Sequence, residues 1–167
     1  MQKEVSFSEA RSVQYPKGVF IVIARDAAGK CNPVSVGSLM YASAEPHMFA
    51  VALSPTHHTT GAIRHSREFV IAIPSENQAE ETMLYGTRSG RDTDKLVLAH
   101  AKTEPAHRID CVLLSDAVAN YECRLVSETE MGDHIVFGGE VVCSHVNEKP
   151  LRPLYVVGPG HKLGGVG

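Results

Sequence analysis

Length, composition and charge limit what this chain can be. Its 167 residues are 43% hydrophobic and 21% charged, which suits one globular domain, residues 1–167, whose core needs no disulfide or metal. The net charge of −3 and the lack of a long basic run in the sequence argue against a nucleic-acid partner, because such proteins neutralise phosphates with clustered lysine and arginine.

The sequence also favours a cytoplasmic protein with no membrane partner. The first twelve residues are polar and mixed in charge, unlike the apolar core of a secretory signal. The longest apolar run, residues 18–24, is too short to cross a bilayer. No Cys-x-x-Cys pair occurs, so the cysteines are expected to be reduced thiols. They are Cys31, Cys111, Cys123 and Cys143.

Apolar, β-branched segments predict three buried strands in the first half of the chain. They span residues 19–23, 48–53 and 69–73. Helix-forming residues and capping signals predict helices at residues 59–66, 76–85 and 92–101. The expected helix ends are Thr59 or Thr60 at the start of the first, Gly86 at the end of the second, and Asp92 or Thr93 at the start of the third.

The second half of the chain has the pattern of a long antiparallel hairpin followed by a short strand. Alternating polarity begins near Ala117 and continues to Cys143, with a turn at residues 131–134. Gly138-Gly139 predicts a β-bulge in the returning strand. A last strand at residues 154–157 precedes a glycine-rich tail. Because strands outnumber helices without regular alternation, we predict a mainly β fold with short helices.

Several familiar chemical motifs are missing from the sequence. The tail at residues 158–164 lacks the G-x-G-x-x-G spacing of a dinucleotide fold, and neither a P-loop nor a G-x-S-x-G elbow occurs. The histidines nearest to Cys31 match no zinc motif, and adjacent histidines point in different directions. These are His47, His57, His58 and His65. We therefore predict no metal site and no catalytic side chain.

Three segments carry chemistry suited to a flat, phosphate-bearing ligand. Residues 32–38 are small, so a planar ligand can approach their backbone; the alternative is an ordinary loop or edge strand. Residues 54–60 place hydroxyls before a helix N-terminus, which favours an anion; the alternative is N-capping alone. Residues 88–95 gather two arginines, a serine and a lysine, which suits phosphate; the alternative is a solvated loop neutralised by Asp92 and Asp94.

In their order and flanking residues, these segments resemble the flavin reductase-like family, the FMN-binding split barrels that include flavoredoxins and NAD(P)H:flavin reductases. The resemblance runs from Tyr15-Pro16 to about Val146, and residues 89–95 with 132–141 are its most specific parts. The other matching pieces are Asn32-Pro33 to Ser38, Ser54-Pro55, Thr59, Glu68-Phe69-Val70 and Tyr121-Glu122-Cys123. The resemblance implies a six-stranded Greek-key barrel that forms a homodimer, with FMN at or near the subunit interface.

The resemblance also implies which residues would bind FMN. The isoalloxazine ring and ribityl chain would be lined by Asn32, Ser35, Val36, Gly37, Ser38 and Leu39, in part through backbone N–H groups. The phosphate end would lie near Ser54, His58, Thr59 and Thr60. Further donors and positive charge would come from the segment containing Ser89, Gly90, Arg91 and Lys95.

Three functions follow from this resemblance and stay open at the level of the sequence. The first is an NAD(P)H-dependent flavin reductase, in which NADH or NADPH gives hydride to bound FMN and reduced flavin can serve a partner oxygenase. The second is a flavoredoxin-like electron carrier that keeps its FMN and exchanges electrons with a partner protein. The third is a non-redox protein that binds flavin or haem. His161 is either a contact for the nicotinamide or an exposed tail residue.

Overall fold

Strands dominate the structure, a computed structural model that describes residues 1–166. Strands take 46% of the residues and helices 18%, which confirms the prediction of a mainly β fold with short helices. The helices are α1 (Phe7–Arg11), α2 (His58–Ser66), α3 (Ala79–Thr87) and α4 (Lys95–Leu98), with a 3-10 turn at Glu76–Gln78 before α3. The strands are β1 (Lys17–Gly18), β2 (Phe20–Arg25), β3 (Cys31–Val36), β4 (Leu39–Ala44), β5 (His47–Leu53), β6 (Glu68–Ile73), β7 (Thr103–Pro105), β8 (Val112–Leu114), β9 (Ala119–Met131), β10 (His134–Val146), β11 (Leu154–Gly158) and β12 (Lys162–Gly165).

Seven antiparallel strands form the main sheet, in the order β3-β2-β6-β9-β10-β5-β4. The edges of this sheet are therefore β3 and β4. A second sheet contains β1, β11 and β12, and β7 pairs with β8. The resemblance implied six barrel strands, so the closure of a six-stranded barrel stays a prediction beside this seven-stranded sheet.

The central strands β2 and β6 are buried on both faces because a separate apolar cluster packs against each face. Val22 and Ile71 lie in the first cluster, together with Ile63 from α2. Ile21 and Val70 lie in the second cluster, on the opposite face. Full burial of such a side chain contributes about 1.5–3 kcal/mol relative to exposure. Both strands consequently appear in the sequence as continuous apolar runs, and they were predicted correctly.

The strands β9 and β10 form one long hairpin that turns at Gly132 and Asp133. Gly132 has a φ of 62°, a left-handed conformation that glycine adopts at little steric cost. The predicted bulge is confirmed, because the register shifts between Gly138 and Gly139. A Cβ atom on Gly139 would collide with the Phe69 ring, so glycine here lets β10 pass close to the core.

Two segments that the sequence analysis did not predict as strands form strands in the structure. Most of residues 32–38, the first of the three segments suited to a flat ligand, belongs to β3, an edge strand of the main sheet. An edge strand was the stated alternative. The glycine-rich tail forms β12, which pairs with β11. Glycines weaken the strand pattern in the sequence. The tail forms a strand because it pairs with β11.

The predicted threonine cap of α2 is wrong because both threonine side chains bind elsewhere. His57 occupies the N-cap position of α2 and makes no side-chain capping bond. The Thr59 hydroxyl accepts a hydrogen bond from the Asn32 carboxamide at 2.7 Å. The Thr60 hydroxyl donates to the Ser54 carbonyl at 2.7 Å. Long-range partners therefore take the hydroxyls that local capping would have used.

The predicted ends of the next two helices are also wrong. The helix α3 continues through Gly86, so this glycine is not a C-cap. The third predicted helix is reduced to the short α4, because Asp94 is its cap and accepts from the Val97 N–H at 3.2 Å. Neither Asp92 nor Thr93 begins it.

Two further properties bear on the compartment predictions. Within residues 1–166, no helix combines the length and the apolar character that crossing a membrane requires. In the same part of the chain, all four cysteines are free. The closest approach is between the Sγ atoms of Cys31 and Cys111, which lie 4.0 Å apart.

Candidate functional site

Two adjoining cavities lie where the three predicted segments meet. The smaller cavity, here called the cationic pocket, has a volume of about 240 Å³ and is lined from β3, the start of α2, the loop after α3 and the start of α4. The larger cavity, here called the large cleft, has a volume of about 540 Å³ and is lined from α1, β1, β3, α3, β11 and β12. Gly86 and Thr87 line both cavities.

The structure brings together residues from all three predicted segments. The cationic pocket is lined by seven of the predicted cofactor residues, namely Asn32, His58, Thr59, Ser89, Gly90, Arg91 and Lys95. The large cleft is lined by three more, namely Ser35, Val36 and Gly37. The three segments are separate in the sequence, and the fold brings residues of each to one cavity.

Four of the predicted cofactor residues line neither cavity. They are Ser38, Leu39, Ser54 and Thr60. The Ser38 hydroxyl donates to the Ala52 carbonyl at 2.6 Å, which ties the chain before β4 to β5. Leu39 packs against the first apolar cluster. Direct contact of these four residues with a cofactor stays a prediction.

The loop after α3 packs directly on β3 because Gly90 has no side chain. A Cβ atom built on Gly90 would collide with the Asn32 carboxamide and lie 3.0 Å from the His58 ring. Asn32 Nδ2 in turn donates to Thr59 Oγ1 at 2.7 Å. These contacts join β3, the start of α2 and the loop after α3, which together line the cationic pocket.

Lys95 is a buried cation in this pocket. It is 3% exposed, and its Nζ donates to the Tyr85 carbonyl at 3.1 Å. None of the ion pairs within residues 1–166 includes it. Burial lowers the pKa of Lys95 to about 8, because the charged ammonium loses hydration. An anion in the pocket would supply the missing countercharge.

Arginines add to the positive charge of the pocket. Arg91 Nη1 donates to the Thr56 carbonyl at 2.9 Å, and the Arg91 N–H donates to Ser89 Oγ at 3.2 Å. Arg88 also lines the pocket. Among the described residues that line it, none is an aspartate or a glutamate. Three cations without a carboxylate make a site that favours a negatively charged ligand.

One buried side-chain atom of the pocket has no hydrogen-bond partner among the described residues: the ring nitrogen Nδ1 of His57. Burial, followed by the charges of Lys95, His134 and Arg91, lowers the pKa of His57. The Tyr85 hydroxyl is also buried without a partner in this part of the chain, but its ring packs in the second apolar cluster, where burial and the charge of Glu81 raise its pKa. Buried polar atoms are nearly always satisfied in folded proteins, so His57 Nδ1 is a candidate contact for a ligand.

Asp26 and Asp94, which do not line the pocket, have partners of their own. Asp26 Oδ2 lies 2.9 Å from His58 Nε2. Burial acts to raise the pKa of Asp26, but hydrogen bonds from His58, Lys30 and Ala28 together lower it. Asp94 caps α4. The alternative for the third segment was neutralisation by Asp92 and Asp94, but neither forms an ion pair with its arginines or its lysine in the described part of the chain.

The large cleft is lined by small residues of β3 and by the turn between β11 and β12. The Ser35 hydroxyl donates to the Thr82 carbonyl at 2.6 Å, which joins β3 to α3. The Thr82 hydroxyl oxygen is buried without a partner among the described residues. His161 lines the cleft from the turn between β11 and β12, with a left-handed φ of 57°. The structure thus places this exposed tail histidine beside the cleft.

Sequence reasoning missed several residues of the pocket. Arg88 stands in the third predicted segment but is not among the predicted site residues, and the sequence predicts Tyr85 only as part of a helix. His57 was set aside with the other histidines. A lone arginine or tyrosine carries no local pattern, and only the packing of α3 and α4 on β3 shows their positions.

Fold and site together define a class: an antiparallel β protein with a carboxylate-free cationic pocket beside a larger cleft. The family model of the flavin reductase like domain matches residues 11–161. The chain belongs to this family. The resemblance drawn from the sequence is therefore confirmed.

Several proteins are similar to this chain in sequence or structure over most of its length. It is 28% identical over 142 residues to the NADH-dependent FMN reductase AsuE2 of Streptomyces nodosus subsp. asukaensis, covering 83% of this chain and 74% of that protein. The FMN-binding protein from Thermus thermophilus with bound p-hydroxybenzaldehyde superposes with a TM-score of 0.85 at 26% identity, covering 99% and 95% of the two chains. Flavoredoxin from Methanosarcina acetivorans has the same fold, with a TM-score of 0.87 at 22% identity over 100% and 92% of the chains.

Proposed function

We propose that the protein is an FMN-binding oxidoreductase that reduces flavin with NADH or NADPH. The observation that carries this proposal is the cationic pocket, where Lys95 and Arg91 meet hydroxyls and no carboxylate among the described residues. Family membership supports a flavin ligand. The similarity to an NADH-dependent FMN reductase supports nicotinamide as the electron donor.

The residues of the cationic pocket fit the phosphate end of FMN. A phosphate monoester carries nearly two negative charges at neutral pH and offers only acceptor oxygens. Lys95 and Arg91 would supply charge, and Thr59 and Ser89 lie among them as hydroxyl donors.

The large cleft would take the ring system and the nicotinamide. Its volume of about 540 Å³ lies within the range of roughly 300–1,000 Å³ that is usual for ligand sites. Ser35, Val36 and Gly37 present small side chains and backbone to it. FMN, when bound, supplies the hydride chemistry, so the protein needs no acid or base and acts by binding and orientation. In this proposal His161 contacts the nicotinamide.

We also propose that residues 1–167 form one domain and that two copies assemble through β4. Met40 and Tyr41 on this edge strand are 62% and 54% exposed. Exposed apolar edge strands are normally covered. The six-stranded barrel belongs to the same proposal. Four free cysteines support a reducing, cytoplasmic setting, where a partner oxygenase is one candidate acceptor of reduced flavin.

The test is the visible spectrum of the purified protein, followed by oxidation of NADH and of NADPH with added FMN. We expect flavin absorption that shifts on binding, and catalytic oxidation of one or both nucleotides. Bound flavin without turnover would overturn the reductase and favour the flavoredoxin-like carrier. A protein that binds no FMN would overturn the flavin site and favour the non-redox alternative.

A matched pair of variants makes this test specific to the pocket. Arg91→Gln removes a lining cation, and we expect about a tenfold or greater loss of FMN affinity, because a charge-assisted hydrogen bond is worth roughly 1.5–3 kcal/mol. Arg152→Gln changes an exposed arginine that does not line either cavity, and its affinity should equal wild type. Equal losses in both variants would contradict a phosphate role for Arg91.

A further inference from the structure

A second cluster of reactive side chains lies away from both cavities. One ligand atom from each of His107, Glu122, Cys143 and His145 falls within 4.8 Å of each of the others. Among the described residues that line the cationic pocket and the large cleft, none belongs to this cluster. The proposed flavin site therefore leaves the cluster without a role. Two imidazoles, a carboxylate and a thiol are donors that transition metals accept.

The β9–β10 hairpin gathers three of these residues on one face. Cys143 is the register partner of Glu122, and His145 follows two residues later on the same face. The register shifts between Val141 and Cys143, and Val142 packs against the second apolar cluster. This bulge re-aims the strand, so that Cys143 and His145 share the side of the sheet on which Glu122 lies.

His107, the fourth residue of the cluster, is held beside the hairpin by hydrogen bonding to the Glu122 carboxylate. Glu122 is fully buried, and its oxygens accept hydrogen bonds from the backbone N–H groups of His107 at 2.8 Å and Arg108 at 2.7 Å. His145 Nε2 lies 2.6 Å from Glu122 Oε1. The rings of His107 and His145 meet edge to face, with centroids 4.7 Å apart.

Solvent can reach this cluster. His107 is exposed, and the His145 side chain is 20% exposed. Both residues line a third cavity of about 550 Å³, which shares no lining residue with the cationic pocket or the large cleft among the described residues. An ion therefore has an entry path that does not cross the flavin site.

We propose that these four side chains bind one divalent transition-metal ion, with Zn²⁺ as the expected occupant. Zn²⁺ prefers four ligands of this type, at about 2.0–2.2 Å for nitrogen and oxygen and about 2.3 Å for sulfur. The ligand atoms lie within 4.8 Å of one another. In this proposal, side-chain rotations bring them to the shorter separations that a common metal ion requires. The two backbone N–H donors on Glu122 form the outer shell that orients a metal-ligating carboxylate.

The competing explanation of the cluster is that Glu122 has only a structural role, in which it holds the backbone of His107 and Arg108. Glu122 and its hydrogen bonds suffice for that role, and the Cys143 thiol and the His107 ring have no part in it. A metal ion requires both. Variants of Cys143 and His107 therefore separate the two explanations while the buried carboxylate stays in place.

The test begins with full-length protein that has been treated with a chelator and returned to metal-free buffer. Zn²⁺ is titrated against a coloured zinc chelator, and we expect one ion bound per chain. Zinc K-edge X-ray absorption should show one sulfur at about 2.3 Å among nitrogen and oxygen ligands. Neither measurement depends on flavin or on turnover.

Three variants complete the test. Cys143→Ser and His107→Ala should each raise the zinc dissociation constant by about tenfold or more, judging from the losses caused by outer-shell changes alone, and Cys143→Ser should lose the sulfur signal. His134→Ala is the control, because this histidine also lies 2.7 Å from a carboxylate, that of Asp133, but has no further ligand beside it in the described chain. Zinc binding that is absent, free of sulfur, or equal in all variants would overturn the site.

Discussion

Lys95 shows at the scale of one residue how burial and function are linked. The folded protein holds the Lys95 proton only up to a pKa of about 8, whereas an unfolded chain holds it to about 10.4. Between these values the unfolded state binds more protons, so the stability of the flavin-free protein should rise with pH over that window. At neutral pH the buried charge opposes folding, and a bound phosphate would offset this effect.

The same titration predicts how FMN affinity depends on pH. We expect affinity to fall as pH rises above about 8, because neutral Lys95 no longer attracts the phosphate. The dissociation constant is measured by flavin fluorescence from about pH 7 to about pH 9.5, on either side of that pKa. Lys95→Met should bind FMN about tenfold more weakly or worse, with a flatter pH profile.

Riboflavin, which lacks the phosphate, is the matched ligand for this experiment. Its affinity should show little change over the same pH range and in Lys95→Met. Lys149→Met, at an exposed lysine outside the cationic pocket, should retain the wild-type FMN profile. If wild-type affinity for FMN and for riboflavin changes in parallel, Lys95 does not contact the phosphate.

The residue types of the pocket were readable from the sequence, but their environments were not. Arg91 and Lys95 stand in a charged segment for which a solvated loop is the alternative to a phosphate site. Lys95 is buried because α4 begins with it and its ammonium turns onto the Tyr85 carbonyl. That contact joins residues ten positions apart across a loop, and no local pattern specifies it.

At the scale of elements, the pocket depends on how closely the loop after α3 approaches β3. Gly90 permits this approach, since any Cβ there would meet the Asn32 carboxamide. We expect Gly90→Ala to destabilise the protein by about 1–3 kcal/mol, the usual range for overpacking, and to weaken FMN binding. Urea unfolding and flavin titration measure the two effects.

Gly61→Ala is the matched control for this prediction. Gly61 lies within α2, and a Cβ atom there would meet nothing within 4 Å. Because glycine inside a helix costs roughly 0.5–1 kcal/mol relative to alanine, this variant should be slightly more stable than wild type. A Gly90→Ala protein as stable as Gly61→Ala would show that the loop does not dock on β3.

Elements were predictable where their pattern came from burial on both faces. The runs in β2 and β6 are apolar at successive positions because each face meets its own cluster. The sequence analysis missed β4, whose side chains are mostly exposed, and β12, which ends in two glycines. Each pairs with the strand next to it in the chain, β5 or β11, but neither carries the apolar pattern from which a strand is predicted.

At the scale of the whole molecule, the two edges of the main sheet differ. The edge strand β3 is covered by α3, α4 and the start of α2, which build the cationic pocket on it. The edge strand β4 has no further strand beside it within residues 1–166, and it exposes Met40 and Tyr41. Family membership was predictable because several motifs recur in order, but the surface that joins two copies depends on which edge stays uncovered.

This difference predicts the oligomeric state and a variant that changes it. Wild-type protein should have the mass of a dimer in light scattering coupled to size exclusion, because pairing at β4 would cover an apolar edge. Met40→Glu places a charge on that edge, where burial without a partner is costly, and should give monomers. Val97→Glu changes a residue on α4 that is 68% exposed and should remain dimeric. A monomeric wild type would contradict the dimer itself, and a dimeric Met40→Glu protein would show that the interface lies elsewhere than β4. Cooperative unfolding of Met40→Glu would show that the change acts on assembly rather than on the fold.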